Sequence, residues 1–134
     1  MTTVLFACVA NAGRSQMAAA FFNQLADPQR ARALSAGTRP GAHVHPEVVA
    51  VMDEAGVDLA EAHPQLLTLE LASTAAFLIT MGCGDECPVV PGATREDWPL
   101  PDPKNQPLER VREIRDGIRT RVAAFVRGHG WQRG

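Results

Sequence analysis

The alternation of strand-like and helix-like segments constrains the fold of this chain most. Apolar, strand-like runs occupy residues 2–8, 31–35 and 75–81, and a weaker one lies near 95–98. Helix-like stretches, with apolar residues three and four positions apart, cover residues 15–25, 46–55, 66–72 and 106–127. Strands that alternate with helices form parallel sheets. The order therefore predicts an α/β fold, with an open, mostly parallel four-stranded sheet and helices on both faces.

Length and composition narrow the class of protein further. The 134 residues predict one domain, 1–134, and the net charge of −2 argues against a nucleic-acid partner, which would favour a basic excess. The sequence contains no run of roughly 18 apolar residues, so we expect no membrane span. The first four residues carry no basic stretch before an apolar segment, so no signal peptide is visible. We expect a monomer in the cytoplasm.

The stretch CVANAGRS, residues 8–15, joins the first strand to the first helix. In open α/β sheets, ligands bind where a strand ends and feeds a helix. The backbone N–H groups of such a loop, together with the helix N-terminus, can surround a tetrahedral oxyanion. The predicted substrate-binding residues are therefore Val9, Ala10, Asn11, Ala12, Gly13, Arg14 and Ser15.

Four side chains of this loop indicate a nucleophilic site. Arg14 can form two parallel hydrogen bonds with an oxyanion. The positive end of the helix favours the thiolate form of Cys8, and Ser15 can donate a hydrogen bond to its sulfur. Asn11 tolerates a left-handed backbone and can hold the loop. The alternative is that Cys8 is a small buried apolar residue, but its position between strand and helix, six residues before Arg14, favours the nucleophile.

The three cysteines are an odd number, which does not predict a closed disulfide framework. Cys83 and Cys87 follow the third strand, within the segment 82–107 that is rich in glycine and proline. At this spacing on one helical turn, Cβ atoms lie about 5–6 Å apart, whereas a disulfide needs about 3.8 Å. A modest distortion would therefore close a Cys83–Cys87 bond.

Zinc binding is the alternative role for this cysteine pair. A C-x₃-C pattern supplies two ligands, whereas a structural zinc site needs four. The sequence places no histidine near the pair, so we predict no metal site. We assign no role to the four histidines, which are His43, His45, His63 and His129.

Three motifs in order carry a resemblance to a known family: CVANAGRSQMA with the later SAG (35–37), MGCGDECP, and EDWPLPDP. They resemble the low-molecular-weight protein tyrosine phosphatase fold and, within it, the thioredoxin-coupled arsenate reductases. The phosphatases of this fold carry tyrosines after their acidic aspartate, whereas this chain contains no tyrosine. The resemblance spans most of the chain and implies an arsenate reductase that serves arsenic detoxification.

The resemblance implies a role for each of five residues. Cys8 attacks arsenate that is held by Arg14, and Asp102 protonates the leaving oxygen as a general acid. Cys83 then attacks the sulfur of Cys8 and releases arsenite. Cys87 then attacks Cys83, which forms a Cys83–Cys87 disulfide and releases Cys8. Thioredoxin reduces the Cys83–Cys87 disulfide. No tightly bound cofactor is implied.

Three alternatives stay open. A small thiol such as mycothiol or glutathione could attack the Cys8 adduct directly. The chain could instead hydrolyse phosphotyrosine or small phosphate esters, and weak phosphatase activity would accompany arsenate reduction because the two oxyanions share shape and charge. The third alternative is that the chain is a non-catalytic module that binds an oxyanion or senses redox state.

A potassium site is a property of some relatives that this sequence matches only in part. Those relatives bind the ion near the loop through a glutamate of the first helix. Ala19 occupies the matching position, although Asn11 and Ser35 match other residues of the site. The resemblance therefore does not carry a potassium site over to this chain.

Overall fold

A computed structural model describes residues 1–83 and 86–133. Within these residues the helices and strands are β1 (Thr2–Cys8), α1 (Arg14–Leu25), β2 (Ala31–Gly37), α2 (Pro46–Glu54), α3 (Leu69–Ser73), β3 (Phe77–Thr80), β4 (Thr94–Asp97) and α4 (Leu108–Gly128). None of the helices in the described part of the chain is long and apolar enough to cross a membrane.

The four strands form one parallel sheet in the order β2-β1-β3-β4. The register places Cys8 opposite Gly37 of β2 and Ala7 opposite Thr80 of β3. The carboxyl ends of three neighbouring strands therefore meet at one edge of the sheet, with β1 between the other two. The predicted α/β class and four-stranded sheet are confirmed, and every pairing is parallel.

The side chains of β1 alternate between two apolar clusters, as expected for a strand that is buried on both faces. Val4, Phe6 and Cys8 belong to the larger cluster, which also takes its side chains from α1, α2 and α4. Leu5 and Ala7 belong to the smaller cluster, to which α3 contributes. Helices therefore cover both faces of the sheet, as the sequence predicts.

The third helix begins three residues later than the pattern 66–72 predicts. Thr68 caps it, because its side-chain oxygen accepts a hydrogen bond from the backbone N–H of Leu71 (3.0 Å). Leu66 instead forms a parallel bridge with Gly37 at the end of β2. The capping hydroxyl and the extension of the sheet thus decide where this helix starts.

The arginine side chains on one face of α4 form ion pairs with acidic residues of α4 and of α2. The sequence predicts pairing with acidic residues of the same helix, and Arg110 does contact Glu113 at 2.8 Å. Arg112 and Arg115 also contact Glu54 at the end of α2, at 2.9 and 3.2 Å. The hydrogen bond from Arg112 is the main cause that holds the pKa of the Glu54 carboxyl below its ordinary value.

Glu54→Gln should lower the melting temperature slightly at pH 7, and the difference should vanish in acid. A carboxyl whose pKa is lower in the folded chain stabilises it above the unfolded pKa of about 4.3, and this contribution is lost as the pH falls through the folded pKa. The effect is small because the pair is exposed. Thermal unfolding at pH 7 and at pH 3 measures it. Glu61→Gln, which removes the same charge from an exposed turn, is the control, and an equal loss at both pH values would contradict the prediction.

Candidate oxyanion-binding active site

The loop of residues 8–15 lies at the carboxyl end of β1, and α1 begins at Arg14. The Sγ atom of Cys8 accepts a hydrogen bond from the backbone N–H of Asn11 at 3.3 Å and lies 2.8 Å from the Oγ atom of Ser15. Ser15 Oγ already accepts a hydrogen bond from Asn11 Nδ2 at 2.8 Å, so its own proton is available to the sulfur. Two donors can thus stabilise a thiolate at Cys8.

The left-handed backbone that asparagine tolerates does occur at Asn11, where φ is +51°. This residue and Ser15 are completely buried. Their side chains support the loop through hydrogen bonds to each other and through the contact of Ser15 with Cys8. Binding of a substrate by the backbone N–H groups of these residues stays a prediction.

Arg14 is held in place by the segment that follows β4. Its side chain is 12% exposed, and Nη1 donates a hydrogen bond to the carbonyl oxygen of Leu100 at 3.1 Å. Nη2 lies 3.6 Å from Oδ2 of Asp102, whose other oxygen accepts a hydrogen bond from the backbone N–H of Lys104 at 3.0 Å. The structure thus brings the predicted general acid next to the predicted oxyanion-binding guanidinium.

A cavity of about 130 Å³ opens beside Cys8, the predicted nucleophile. Its walls are Cys8, Val9, Ala10, Ala12, Gly13, Arg14, His45, Asp102 and Lys104. The backbone of the loop approaches the aspartate segment so closely that a Cβ on Gly13 would lie 2.8 Å from Cγ of Pro103. The cavity is therefore small, carries the positive charges of Arg14 and Lys104, and has the segment around Asp102 as one wall.

Sequence reasoning missed two of these residues, His45 and Lys104. His45 enters the wall because its backbone N–H donates to the carbonyl oxygen of Ala12 at 2.9 Å, which ties the start of α2 to the loop. No sequence signal indicates this contact. Lys104 stands two residues after Asp102, and its charge beside a predicted acid could have identified it.

Gly82 is a position at which a single added methyl group should disturb the site. Its φ is +100°, and a Cβ there would lie 2.5 Å from Nη1 of Arg14. Gly82→Ala must therefore displace the guanidinium, and we expect phosphate or arsenate to bind roughly 100-fold more weakly. Isothermal titration calorimetry measures the change.

Gly92→Ala separates this steric effect from backbone strain. Gly92 has a φ of +87°, but nothing lies within 4 Å of a Cβ built there. Both variants carry the cost of a left-handed alanine, and only Gly82→Ala collides with Arg14. Equal losses of oxyanion affinity in the two variants would contradict the steric explanation.

Cys83 and Cys87 are joined by a disulfide, and Cys8 is the free thiol. The two Cα atoms are 5.6 Å apart, and the N–H of Glu86 donates to the carbonyl oxygen of Cys83 at 3.0 Å. The sequence also predicts that Gly84 gives the segment around Cys83 backbone freedom, but Gly84 lies outside the described residues. The expected bond between Cys83 and Cys87 is thus formed.

The disulfide lies on the other face of the sheet from the nucleophile. Cys83 and Cys87 are buried in the smaller cluster with Leu5 and Ala7, whereas Cys8 belongs to the larger one. Even so, Sγ of Cys83 is 3.9 Å from the carbonyl oxygen of Ala7, the residue before Cys8. The pair therefore sits beside the end of β1, one residue from the nucleophile along the strand.

Within the described ranges 1–83 and 86–133, no three histidine, cysteine, aspartate or glutamate side chains are grouped as metal ligands. The cavity wall presents a thiol, a guanidinium, a carboxyl, an imidazole and an amine. Such a set of groups suits an enzyme that uses a cysteine to act on tetrahedral oxyanions.

Comparison with known proteins places that chemistry in a family. Residues 3–130 match the family model described as low molecular weight phosphotyrosine protein phosphatase. The chain belongs to this family. The resemblance found in the sequence to the fold of this family is thereby confirmed.

Several relatives within this family are arsenate reductases. A putative arsenate reductase of Halobacterium salinarum is 42% identical over 125 residues, which cover 87% of this chain and 85% of the relative. A glutaredoxin arsenate reductase of Synechocystis is 34% identical over 129 residues, covering 94% and 97%. These similarities confirm the resemblance to the reductases in addition to the phosphatases.

The solved structures agree. The thioredoxin-dependent arsenate reductase of Corynebacterium glutamicum superposes with a TM-score of 0.83 at 36% identity, covering 96% of this chain. This chain spans only 61% of the length of that protein. An arsenate reductase in its oxidised state superposes with a TM-score of 0.83 at 32% identity, covering 96% of this chain and 98% of the other.

Proposed function

We propose that this chain reduces arsenate to arsenite by a relay of three cysteines, for arsenic detoxification. One observation carries the proposal: a free Cys8 beneath an oxyanion-sized cavity coexists with a disulfide between Cys83 and Cys87 that is packed against the same strand. Hydrolysis of a phosphate ester needs only the first of these features. The second is the oxidised form of a dithiol, and arsenate reduction requires the two electrons that such a dithiol can supply.

In the first step the Cys8 thiolate attacks the arsenic of a bound arsenate, and one As–O bond breaks. Arg14 and the backbone N–H groups of the loop hold the remaining oxygens. Asp102, next to Arg14 at 3.6 Å, gives its proton to the departing hydroxyl group of monoprotonated arsenate, which leaves as water. The product is a cysteinyl–arsenic(V) adduct on Cys8.

In the second step the thiolate of Cys83 attacks Sγ of Cys8. A sulfur–sulfur bond forms, and the electron pair of the S–As bond goes to arsenic, which leaves as arsenite. Two thiols are thus oxidised by two electrons and one arsenic(V) is reduced to arsenic(III). Cys83 must move for this step, because it now lies on the opposite face of the sheet.

In the third step Cys87 attacks Cys83 and frees Cys8 as a thiolate. The resulting state has a Cys83–Cys87 disulfide and a free Cys8, and the structure has this same pattern of bonds. This match supports the relay. The short span of the pair supports a small rearrangement for this step, in contrast to the larger movement that Cys83 makes towards Cys8.

Thioredoxin is the reductant we propose for the Cys83–Cys87 disulfide. A protein dithiol supplies the two electrons that one disulfide needs, and the Corynebacterium glutamicum neighbour is named thioredoxin-dependent. We propose the cytoplasm as the compartment, because its reducing environment keeps such thiols available, and a monomer as the working unit.

A coupled assay tests the proposal. Arsenate is added to the chain with NADPH, thioredoxin and thioredoxin reductase, and NADPH oxidation is followed at 340 nm. Parallel reactions replace thioredoxin with glutaredoxin and glutathione, since the Synechocystis relative is named a glutaredoxin arsenate reductase. Arsenate-dependent oxidation with thioredoxin supports the proposal, and the absence of arsenite formation with every reductant would overturn it.

Phosphate-ester hydrolysis is the second candidate function, and the family model favours it. Phosphate and arsenate have the same shape and charge, so the cavity that admits one admits the other. Hydrolysis of p-nitrophenyl phosphate in the same preparation measures this activity. We expect it to be weak, and an enzyme that hydrolyses the ester but leaves arsenate unchanged would be a phosphatase.

A further inference from the structure

Lys104 is the only lysine among the 13 lysine and arginine residues of the chain. It lies in the wall of the cavity beside Cys8, together with Arg14 and Asp102. None of the three proposed steps uses its ammonium group. A cation therefore stands beside the anion cavity without a role in the reaction.

The turn that contains Lys104 fixes the position of its backbone. The N–H of Lys104 donates to Oδ1 of Asp102 at 3.0 Å, and the N–H of Gln106 donates to the carbonyl oxygen of Pro103 at 3.2 Å. Pro103 is buried against the loop of residues 8–15, so closely that a Cβ on Gly13 would lie 2.8 Å from its Cγ. The turn thus holds the base of the lysine side chain at the cavity wall.

The charge of Lys104 is not offset by a carboxylate. Among residues 1–83 and 86–133, its ammonium group takes part in no ion pair. Arg14 differs, because its Nη2 lies 3.6 Å from Oδ2 of Asp102 and its Nη1 donates to the carbonyl oxygen of Leu100. Part of the guanidinium is therefore engaged within the protein, whereas the ammonium group of Lys104 is available to an anion.

Arginine and lysine bind anions in different ways. The guanidinium forms hydrogen bonds in a fixed plane, whereas the ammonium group is a compact charge on a flexible stem. Monoprotonated arsenate carries two negative charges, as does monoprotonated phosphate. Arg14, which also faces a carboxyl group, leaves one of these charges without a cationic side chain as its partner.

We propose that Lys104 pairs with the second negative charge of the bound oxyanion, so that the cavity prefers doubly charged to singly charged tetrahedral anions. Lys104 is thus a specificity-determining residue of the site. The inference rests on the oxyanion site of the proposed function and deepens it, and it holds for arsenate and for a phosphate ester alike.

The test compares sulfate with perchlorate, which are both tetrahedral and carry two and one negative charges at neutral pH. In the chain with its Cys83–Cys87 disulfide intact, Cys8 is the free thiol. An anion that fills the cavity slows the alkylation of Cys8 by iodoacetamide, and the concentration dependence at constant ionic strength gives its Kd. The variants are Lys104→Met and Lys104→Arg. Arg127→Met is the control, because it removes a positive charge from an exposed position of α4 about 28 Å along the helix from its start.

We expect Lys104→Met to bind sulfate about tenfold more weakly, the size of a lost hydrogen bond between charged groups. Its affinity for perchlorate should change less than about threefold, because Arg14 already pairs with the single charge. Lys104→Arg keeps the charge and should bind sulfate within about threefold of wild type. Arg127→Met should bind both anions as wild type does, since solvent and salt screen a charge at that distance.

The single lysine allows a second measurement on the wild-type chain. An acetylating reagent that is specific for amines has two targets, which are Lys104 and the exposed N-terminus. Sulfate should slow the acetylation of Lys104 severalfold and leave the N-terminal amine unaffected, as mass spectrometry of the two peptides measures. This measurement decides the question even if a variant fails to fold.

Two results would overturn the inference. Equal losses of sulfate and perchlorate affinity in Lys104→Met would mean that the lysine maintains the turn and does not select the charge of the anion. Sulfate that protects Cys8 equally in wild type and Lys104→Met, and leaves the acetylation of Lys104 unchanged, would mean that the ammonium group does not contact the anion. Neither result bears on arsenate reduction, whose failure shows instead as the absence of arsenite in the coupled assay.

Discussion

Replacing Cys87 by serine is expected to limit the enzyme to one turnover in the thioredoxin-coupled assay. Arsenite can still form, because Cys8 and Cys83 supply the two electrons for the first reduction. Without Cys87 the disulfide cannot pass to the 83–87 pair, and the Cys8–Cys83 bond remains next to the site. Pre-reduced Cys87→Ser should release one arsenite per chain, and the steady-state rate with thioredoxin should fall at least about 100-fold.

Cys83→Ser is the matched variant, because it removes the sulfur that we propose attacks Cys8. It should release no arsenite in the absence of an added thiol. Mass spectrometry without reductant distinguishes the two variants, since only Cys87→Ser should accumulate the Cys8–Cys83 disulfide. Turnover of Cys87→Ser with thioredoxin at the wild-type rate would contradict the relay, and turnover of both variants with glutathione or mycothiol alone would favour the small-thiol mechanism.

Asp102→Asn is expected to lower kcat for arsenate by about 10²–10⁴-fold, the range typical of a lost general acid. The amide cannot give a proton to the departing oxygen. It keeps the shape of the side chain and can still accept the hydrogen bond from the N–H of Lys104, which is now 3.0 Å from Oδ1. The turn should therefore persist, and KM should change much less than kcat. Steady-state kinetics with saturating thioredoxin measures both.

Asp58→Asn is the control for Asp102→Asn. Asp58 forms the same kind of turn, because its Oδ1 accepts a hydrogen bond from the N–H of Ala60 at 2.8 Å, but it is not part of the cavity wall. The control should keep its activity. If Asp102→Asn also stayed within about threefold of wild type, the carboxyl would be only a turn residue, which is the common role of aspartate before proline.

Much of the fold could be predicted because it depends on local patterns. The strand that ends in Cys8 is apolar on both faces, so it had to lie in the middle of a parallel sheet. The apolar spacing in α4 indicated its buried face, with Val111, Ile118 and Val122 inward, and the structure buries all three. Helix α3 began later than predicted because a capping hydroxyl at Thr68 outweighed the apolar pattern.

The candidate site likewise contains residues that local sequence patterns indicate and residues that they do not. Cys8 and Arg14 share a short loop whose backbone brings them to one cavity, so their spacing alone indicated their chemistry. His45 and Lys104 come from distant segments, and nothing in the sequence shows that these segments meet the loop. Gln16 is near Cys8 in sequence, but its hydrogen bonds to the backbone oxygens of Asn11 and His63 could not be predicted from the sequence. They depend on where the segment that contains His63 packs.

By itself, the sequence determined the alternating order of strands and helices, the nucleophile loop at the end of the first strand and the presence of two further thiols. These features follow from residue types and short spacings, which act through local backbone geometry. Only the tertiary structure decided that Asp102 faces Arg14, that Cys83 and Cys87 lie across the sheet from Cys8, and that Gln16 fills the space behind Asn11. Such contacts join segments far apart in the chain, so their distances depend on how the helices and loops pack on the sheet.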